Sequence, residues 1–250
     1  RVRTWSNPSG LDLTPIASEV WAAERPFVWN YIDVGGRSAV VRLSDQSLWV
    51  HSPVELDDGL RAALAELGPV RHIVSPNYEH VKYARQWLEA FPEANGFACP
   101  GLRSKMPNIP YTDTVGAPTG QPYPEAWPRE IEACWFPAEK NPFTGRPFFN
   151  EVVFYHRPSQ CLFVSDVYWN YPAEVSGEPV PKGTRLWKFG MDQVYLPFYK
   201  RLMVSDRSKY EKCVETVLAW DFETLVPCHG LVIRGSDAAH AALREHLLLP

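Results

Sequence analysis

The sequence predicts an α/β fold in which sheets are covered by helices. Apolar, β-branched segments alternate with segments of helical periodicity in both halves of the 250-residue chain, an order that is typical of layered α/β proteins. The composition, with 45% hydrophobic and 22% charged residues, is that of a soluble globular protein. A chain of this length buries roughly 70–75% of its unfolded surface, so its core needs no disulfide or metal to be stable.

The first half of the chain begins with a polar stretch, residues 1–17, which we interpret as an N-terminal arm on a single domain of residues 18–250. Gly35 and Gly36 supply the positive φ that a tight hairpin requires. Apolar runs on both sides of this pair predict the first two strands. The predicted strands are residues 27–33, 38–43, 47–50, 72–74 and 96–99.

Two helices are predicted between these strands, at residues 57–67 and 81–91. Asp57 or Asp58 can cap the first helix, because a carboxylate at that position accepts the free N–H groups of the first turn. Leucines at helical spacing form its apolar face, and Gly68 ends it. Pro92 ends the second helix, since proline lacks the N–H that a helix interior needs.

The second half repeats the alternation of strands and helices. Its predicted strands are residues 131–136, 151–156, 161–164 and 224–226, and its predicted helices are residues 191–203, 208–220 and 237–248. Pro197 weakens the first of these helices, because an interior proline kinks or breaks a helix. Two proline-rich stretches, residues 106–128 and 170–188, are predicted to be loop insertions that serve binding or function.

Charge and cysteine content exclude several classes of protein. The formal net charge is −4, so neither nucleic acid nor an anionic membrane is an expected partner. No apolar run has the roughly 18 residues of a transmembrane segment. The five cysteines form no C-x-x-C pair and are predicted to be buried free thiols. We therefore expect an intracellular, reducing compartment, cytoplasmic or organellar; the chain, which begins at Arg1, is either a mature form after removal of a targeting peptide or a fragment.

Three short polar stretches each follow a predicted strand. They are residues 75–80 (SPNYEH), 165–166 (SD) and 227–230 (PCHG). Catalytic groups of α/β proteins gather at strand ends, because a rigid sheet then directs several loops into one crevice. These stretches are therefore the candidate site.

At these stretches the sequence resembles the metallo-β-lactamase superfamily. Residues 48–53 (LWVHSP), 68–74 (GPVRHIV) and 150–158 (NEVVFYHRP) are similar to its DUF4336 branch. The resemblance implies a four-layer αβ/βα sandwich of metallo-β-lactamase type, here with proline-rich loop insertions. It also implies a metal site at the edge between the two sheets.

The resemblance also shows what this chain lacks. The His-x-His-x-Asp-His motif of active members falls on Ser75, Asn77, Glu79 and His80, so only its last histidine remains. Residues 146–150, where a third-region histidine would lie, contain none. The three histidine ligands of one of the two metals are thus missing.

The resemblance implies that four residues of this chain correspond to the ligands of the other metal. These candidate ligands are Glu79, His80, Asp166 and His229. His51 replaces an aspartate that usually follows the early strand, and it is a weaker candidate. Carboxylates and imidazoles can bind Zn²⁺, Mn²⁺ or Fe²⁺. The alternative is that no metal binds and that these polar groups bond one another.

Four tryptophans lie outside the predicted helix and strand stripes: Trp5, Trp127, Trp169 and Trp187. They are candidates for a protein interface, because tryptophan is enriched at interface hot spots, or they form small cores beneath the loops.

Two functions follow from these observations. The favoured one is a degenerate scaffold, a pseudoenzyme that binds another protein or a larger complex as an interaction or structural subunit. The other is a single-metal hydrolase of an ester, lactone, thioester or phosphoester.

Overall fold

The computed structural model describes residues 2–116 and 127–250. Its strands are β1 Thr14–Ala17, β2 Val20–Arg25, β3 Val28–Trp29, β4 Ile32–Asp33, β5 Gly36–Arg42, β6 Leu48–His51, β7 Val70–Ser75, β8 Asn95–Ala98, β9 Asp113–Thr114, β10 Ile131–Trp135, β11 Val152–His156, β12 Cys161–Val164, β13 Glu174–Val175, β14 Glu178–Pro179, β15 Thr224–Pro227 and β16 Ile233–Arg234. Its helices are α1 Asp58–Leu67, α2 Ala84–Ala90, α3 Leu102–Lys105, α4 Lys182–Gly190, α5 Leu196–Phe198, α6 Arg207–Leu218 and α7 Ser236–Leu247, with π-helical turns at Met191–Tyr195 and Tyr199–Met203.

Two large sheets contain most of these strands. The first has the order β1-β2-β5-β6-β7-β8-β9 and the second has the order β10-β11-β12-β15-β16. In the first sheet, β6, β7 and β8 are parallel, because α1 and α2 serve as the crossovers that parallel neighbours require. In the second sheet β12 and β15 are parallel, and α6 lies in the connection between them.

The two sheets face each other across a shared aromatic core. Trp49 of β6 lies 5.3 Å from Phe154 and 5.6 Å from Phe163 of the second sheet, measured between ring centroids. Leu60 and Trp87 bury the apolar faces of α1 and α2 against the first sheet. Helices α6 and α7 pack on the second sheet. The four-layer αβ/βα sandwich is therefore confirmed.

The N-terminal region differs from the predicted hairpin. Strand β5 pairs with β2, not with residues 27–33, and residues 28–33 form a short hairpin of their own, β3–β4. Asn30 and Tyr31 both have positive φ, which a two-residue hairpin turn with the correct twist requires. Part of the predicted arm is also ordered differently, since Thr14–Ala17 forms the edge strand β1 beside β2.

A helical segment begins earlier than the sequence predicts. Residues 182–188, assigned to a loop insertion, belong to α4, where Gly183 and Gly190 lower the intrinsic helix propensity that would have revealed it. The segment continues to Met203 through two π-helical turns around Pro197. Pro197 itself lies at the start of the short helix α5 between these turns, where its missing N–H interrupts the regular ladder of helical hydrogen bonds. Residues 117–126 of the other proline-rich stretch, 106–128, lie outside the described residues.

His72 of β7 makes the stability of the fold sensitive to acid. Its side chain is 4% exposed, and burial lowers its pKa from 6.5 to about 4, although Asp45 opposes this shift. The unfolded chain binds the proton first as the pH falls. The contribution of neutral His72 to the free energy of unfolding is therefore fully present above pH 6.5 and is lost as the pH falls from 6.5 to 4.

We expect the wild type to lose roughly 3 kcal/mol more than a His72→Leu variant when the pH falls from 7.5 to 4. Chemical denaturation at a series of pH values measures this difference. Parallel curves for the two proteins would contradict it.

None of the described helices is both long and apolar enough to cross a bilayer.

Candidate metal centre

Three loops bring the candidate ligands together at one edge of the sandwich. His80 follows β7, Asp166 follows β12, and His229 follows β15. One ligand atom from each of these three side chains lies within 4.8 Å of the other two. The prediction that strand ends assemble the site thus holds for the geometry of these three residues. That these residues bind a metal stays a prediction.

The distances within this cluster are short. His80 Nε2 lies 3.3 Å from Asp166 Oδ2 and 3.3 Å from His229 Nε2. His229 Nε2 lies 3.6 Å from Asp166 Oδ1. All three side chains are about 13–15% exposed, so solvent reaches the cluster from one side.

Each of the three side chains is oriented by a further hydrogen bond to a residue outside the cluster. His229 Nδ1 lies 2.7 Å from the carbonyl oxygen of Gly35. A carbonyl can only accept, so Nδ1 carries the proton and the lone pair of the neutral ring is on Nε2. His80 Nδ1 lies 2.6 Å from Ser52 Oγ, and Asn77 Nδ2 donates to Asp166 Oδ2 at 2.7 Å. Such partners orient the ligands of metal sites.

Charge and protonation also explain why these three side chains lie together when no metal is bound. Burial lowers the pKa of His80, but the charges of Asp166 and Cys228 outweigh it and hold that pKa well above 6.5. Burial and the charge of His80 lower the pKa of His229. A protonated His80 would then donate from Nε2 to Asp166 beside a neutral His229. Binding of a metal ion would displace the His80 Nε2 proton, so the ion and the proton compete for one lone pair.

Glu79 and His51, predicted as further ligands, lie outside this cluster. Glu79 has an exposed side chain that lines the adjacent cavity. His51 is 1% exposed and stacks on Trp49 with ring centroids 5.8 Å apart. Among the described residues the group within ligand distance contains neither of them.

Polar side chains that are poor ligands for transition metals fill two of the lost histidine positions. Ser75 Oγ accepts a hydrogen bond from the Tyr111 hydroxyl at 2.7 Å. Asn77 Oδ1 accepts from the backbone N–H groups of Glu79 and His80 at 3.0 and 2.9 Å. Asn77 is thus the loop-capping residue that its type predicts, and it holds His80 in place.

Glu151 is a residue of the site that the sequence reasoning missed. Its carboxylate is fully buried and accepts hydrogen bonds from the backbone N–H groups of Ser165 and Asp166 at 2.6 Å each and of Val167 at 3.2 Å. Asn77 Nδ2 donates to it at 3.0 Å. Burial and the charge of Asp166 raise its pKa. A glutamate directly before an apolar strand, at residues 150–156, is the sequence signal that could have identified it.

Cys228 lies beside the cluster, immediately before His229. Its Sγ is 3.3 Å from Ser165 Oγ and 3.8 Å from His51 Nδ1. Burial raises its pKa, but His51 and His80 outweigh burial and hold that pKa well below 9. All five cysteines are free thiols, as predicted, but only Cys99, Cys161 and Cys228 are buried, whereas Cys134 and Cys213 are half-buried.

A cavity of about 310 Å³ opens beside the cluster. The β3–β4 hairpin forms one side, with Phe27 and Trp29, and the helical segment after Pro181 forms another, with Trp187, Met191 and Tyr195. Asp166, His80 and His229 lie in its wall. The cluster therefore faces a largely aromatic space.

The four loop tryptophans pack against this chain itself. Trp127 is 3% exposed and Trp169 is 6% exposed, so neither side chain is available to a partner in this structure. Trp5 and Trp187 are half-buried and pack with Trp169 around Val34 and Tyr171. The described structure thus favours small cores beneath the loops, the alternative to an interface.

Comparison with protein families identifies the chain. Residues 17–180 match the family described as "Domain of unknown function (DUF4336)". The chain belongs to the DUF4336 family. A search of curated proteins finds no match to this DUF4336 protein.

Solved structures place this DUF4336 protein in the metallo-β-lactamase fold. It is similar to the DIM-1 metallo-beta-lactamase exposed to ceftazidime, with a TM-score of 0.62 and 12% identity over 94% of this chain and 95% of the other. It is also similar to the metallo-beta-lactamase from Pontibacter korlensis, with a TM-score of 0.59 and 12% identity over 95% and 98% of the two chains. The flavodiiron core of Flv1 from Synechocystis sp. PCC6803 has a TM-score of 0.60 and 13% identity, over 94% of this chain and 60% of that one. At these identities the likeness shows the fold alone.

Proposed function

We propose that this DUF4336 protein holds one divalent transition-metal ion through His80, Asp166 and His229 and that it is a metal-dependent hydrolase. The observation that carries the proposal is the orientation of the cluster. Gly35 and Ser52 each engage the Nδ1 atom of one imidazole, which leaves both Nε2 atoms directed at each other and at Asp166. Three potential ligand atoms therefore converge on one point.

The donor set fits a single ion. Two imidazole nitrogens and one carboxylate suit Zn²⁺, Mn²⁺ and Fe²⁺. Three protein ligands also leave a coordination position open, which is typical of catalytic sites and not of structural ones. An ion held here would supply Lewis-acid activation of water near neutral pH. The missing histidines at Ser75 and Asn77 argue against a second ion.

The residues of the chain would divide the remaining work. In hydrolysis, water adds its oxygen to the acyl or phosphoryl centre, the bond to the leaving group breaks, and the water protons pass to the leaving group and to a base. Glu79 lines the cavity outside the three-residue cluster, so we assign it the role of proton acceptor. Asn77 positions both His80 and Asp166 through its amide.

Metal analysis tests this proposal. Protein purified without chelators is expected to contain about one equivalent of transition metal, and added metal should raise its Tm, because an ion that binds only the folded state stabilises it. A His229→Ala variant should contain no stoichiometric metal and show no such rise.

The matched control for His229→Ala is His240→Ala, which removes an imidazole of α7 that stacks on Phe222 and lies outside the cluster. This control should bind metal as the wild type does. Wild-type protein without metal and with a Tm that does not respond to added metal would contradict the proposal.

A second candidate function is an interaction subunit without chemistry. Exposed apolar side chains favour it: Trp29 and Tyr31 on the β3–β4 hairpin are 52% and 102% exposed, and Leu186 and Phe189 on α4 are 68% and 60% exposed. Exposed apolar surface of this kind often marks a partner site. Size-exclusion chromatography of native extract separates the two functions, because an interaction subunit should elute in a larger complex.

A further inference from the structure

We propose that the cavity beside the cluster selects a compact, uncharged ester with an aromatic body, and that it disfavours phosphoesters. This inference rests on the proposed function, because it names the substrate class of the same site. It is carried by the lining of the cavity and by the hydrogen bonds that already occupy Arg37, one of the cationic side chains in its wall.

The walls of the cavity are aromatic on several sides. Trp29 of the β3–β4 hairpin lines it together with Trp169, Trp187 and Tyr195. Aromatic side chains form offset or edge-to-face pairs with other rings, which are stabilised beyond the apolar area they bury. The walls therefore favour a ligand whose body is a flat ring system.

The aromatic wall continues to the candidate ligands. The ring of Tyr171 stacks on His229 with centroids 6.2 Å apart and planes at 29°. Tyr171 and His229 both line the cavity. A ring bound against this wall would thus place its substituent next to the cluster, where hydrolysis is proposed to occur.

The size of the cavity limits the ligand. Its volume of about 310 Å³ lies at the lower end of the roughly 300–1,000 Å³ typical of ligand pockets. A molecule with one or two fused rings and a short acyl group is of suitable size. A long or branched substrate would have to extend beyond the mouth.

The cationic side chains in the cavity wall already interact with other groups of this chain. Arg37 donates to Glu24 Oε1 at 2.6 Å and also to the carbonyl of Pro227. Lys82 is exposed and lies 4.9 Å from the ring centroid of Phe27. Apart from histidines, these are the cationic side chains among the described residues that line the cavity.

A phosphoester is recognised by cations that donate in pairs, most often arginines. Arg37 cannot serve without leaving Glu24 buried and unpaired, since both side chains are about 8% exposed. A single exposed lysine does not form such a clamp. A neutral ester requires neither group, so the electrostatics of the cavity favour it.

Two probes with the same ring system test the inference. The probe 1-acetylnaphthalene is neutral and cannot be hydrolysed, whereas 1-naphthyl phosphate carries the charge that the cavity disfavours. Calorimetric titration of chelator-treated wild type, in which no ion can attract the phosphate group, should show that it binds the ketone at least about tenfold more tightly than the phosphate. Equal affinity, or tighter binding of the phosphate, would overturn the inference.

Two variants locate the binding. Met191→Trp fills the cavity and should weaken ketone binding by about tenfold or more. Leu202→Trp adds the same side chain at an exposed position further along the helical segment and should leave binding unchanged. Trp29→Ala removes a half-exposed wall residue without disturbing a core, and should weaken ketone binding severalfold even if Met191→Trp fails to fold. Unchanged affinity in the Trp29→Ala variant would count against the cavity as the site.

The ketone titration is repeated with protein that has not been treated with a chelator. Ketone binding depends on the walls, so its affinity should be the same with and without metal. If the protein contains no metal and still binds the ketone, only the proposed hydrolase function is overturned. A normal metal content without ketone binding would overturn only the inference about the substrate.

Discussion

Replacing Glu151 with alanine is expected to lower the free energy of unfolding by roughly 3–5 kcal/mol. The carboxylate accepts hydrogen bonds from three consecutive backbone N–H groups, those of residues 165–167, and from the side chain of Asn77. Alanine leaves these donors buried without an acceptor, and each such group costs about 1–3 kcal/mol. Chemical denaturation of the variant measures the loss directly.

A conservative variant separates the hydrogen bonds from the volume of the side chain. Glu151→Gln keeps one accepting oxygen but places an NH₂ group against backbone donors, so an intermediate loss is expected. Glu178→Ala, on the exposed β13–β14 hairpin, should change stability by no more than about 0.5 kcal/mol. If Glu151→Ala were as stable as this control, the loop carrying Asp166 would not depend on Glu151.

Trp127→Ala is expected to cost about 3–5 kcal/mol, the range for removing a buried tryptophan. The indole is 3% exposed and lies against three other rings of the core, with centroid distances of 5.0 Å to Phe97, 5.8 Å to Trp49 and 5.9 Å to Phe154. Its removal leaves a cavity between the two sheets that the rigid strands cannot close.

Trp29→Ala is the matched control for this substitution. Trp29 is 52% exposed on the β3–β4 hairpin, so its loss should change stability by about 0.5 kcal/mol or less. The comparison also tests the role of the loop tryptophans. Nearly equal effects of the two substitutions would mean that Trp127 is not part of the core and would restore it as a candidate for a partner surface.

Local signals predicted much of the fold. Helix α1 could be predicted because Asp57 accepts a hydrogen bond from the Leu60 N–H, at 3.0 Å, and Gly68 ends the helix, and both are contacts within a few residues. The pairing of β2 with β5 could not be predicted in this way. It joins strands that are separated by the β3–β4 hairpin and includes the buried ion pair of Arg37 with Glu24, whereas the two glycines at 35 and 36 indicated a turn to the nearer strand.

The candidate site shows the same division. The resemblance and the strand ends indicated His80, Asp166 and His229, since each follows an apolar strand. They also indicated Glu79 and His51, whose positions relative to the cluster depend on where their side chains point. His51 points into the core beside Trp49, and Glu79 lines the cavity, and neither direction is encoded in spacing.

The sequence alone determined the layered α/β class, the family resemblance and the loss of one metal's histidines, because these depend on residue types and their order along the chain. Only the tertiary structure decided which of the remaining polar groups meet, that Glu151 and Asn77 hold them, and that aromatic walls surround them. The physical reason is that hydrogen bonds of 2.6–3.0 Å between residues 77, 151 and 166 join three separate loops. Their formation depends on how the two sheets pack, which no local pattern records.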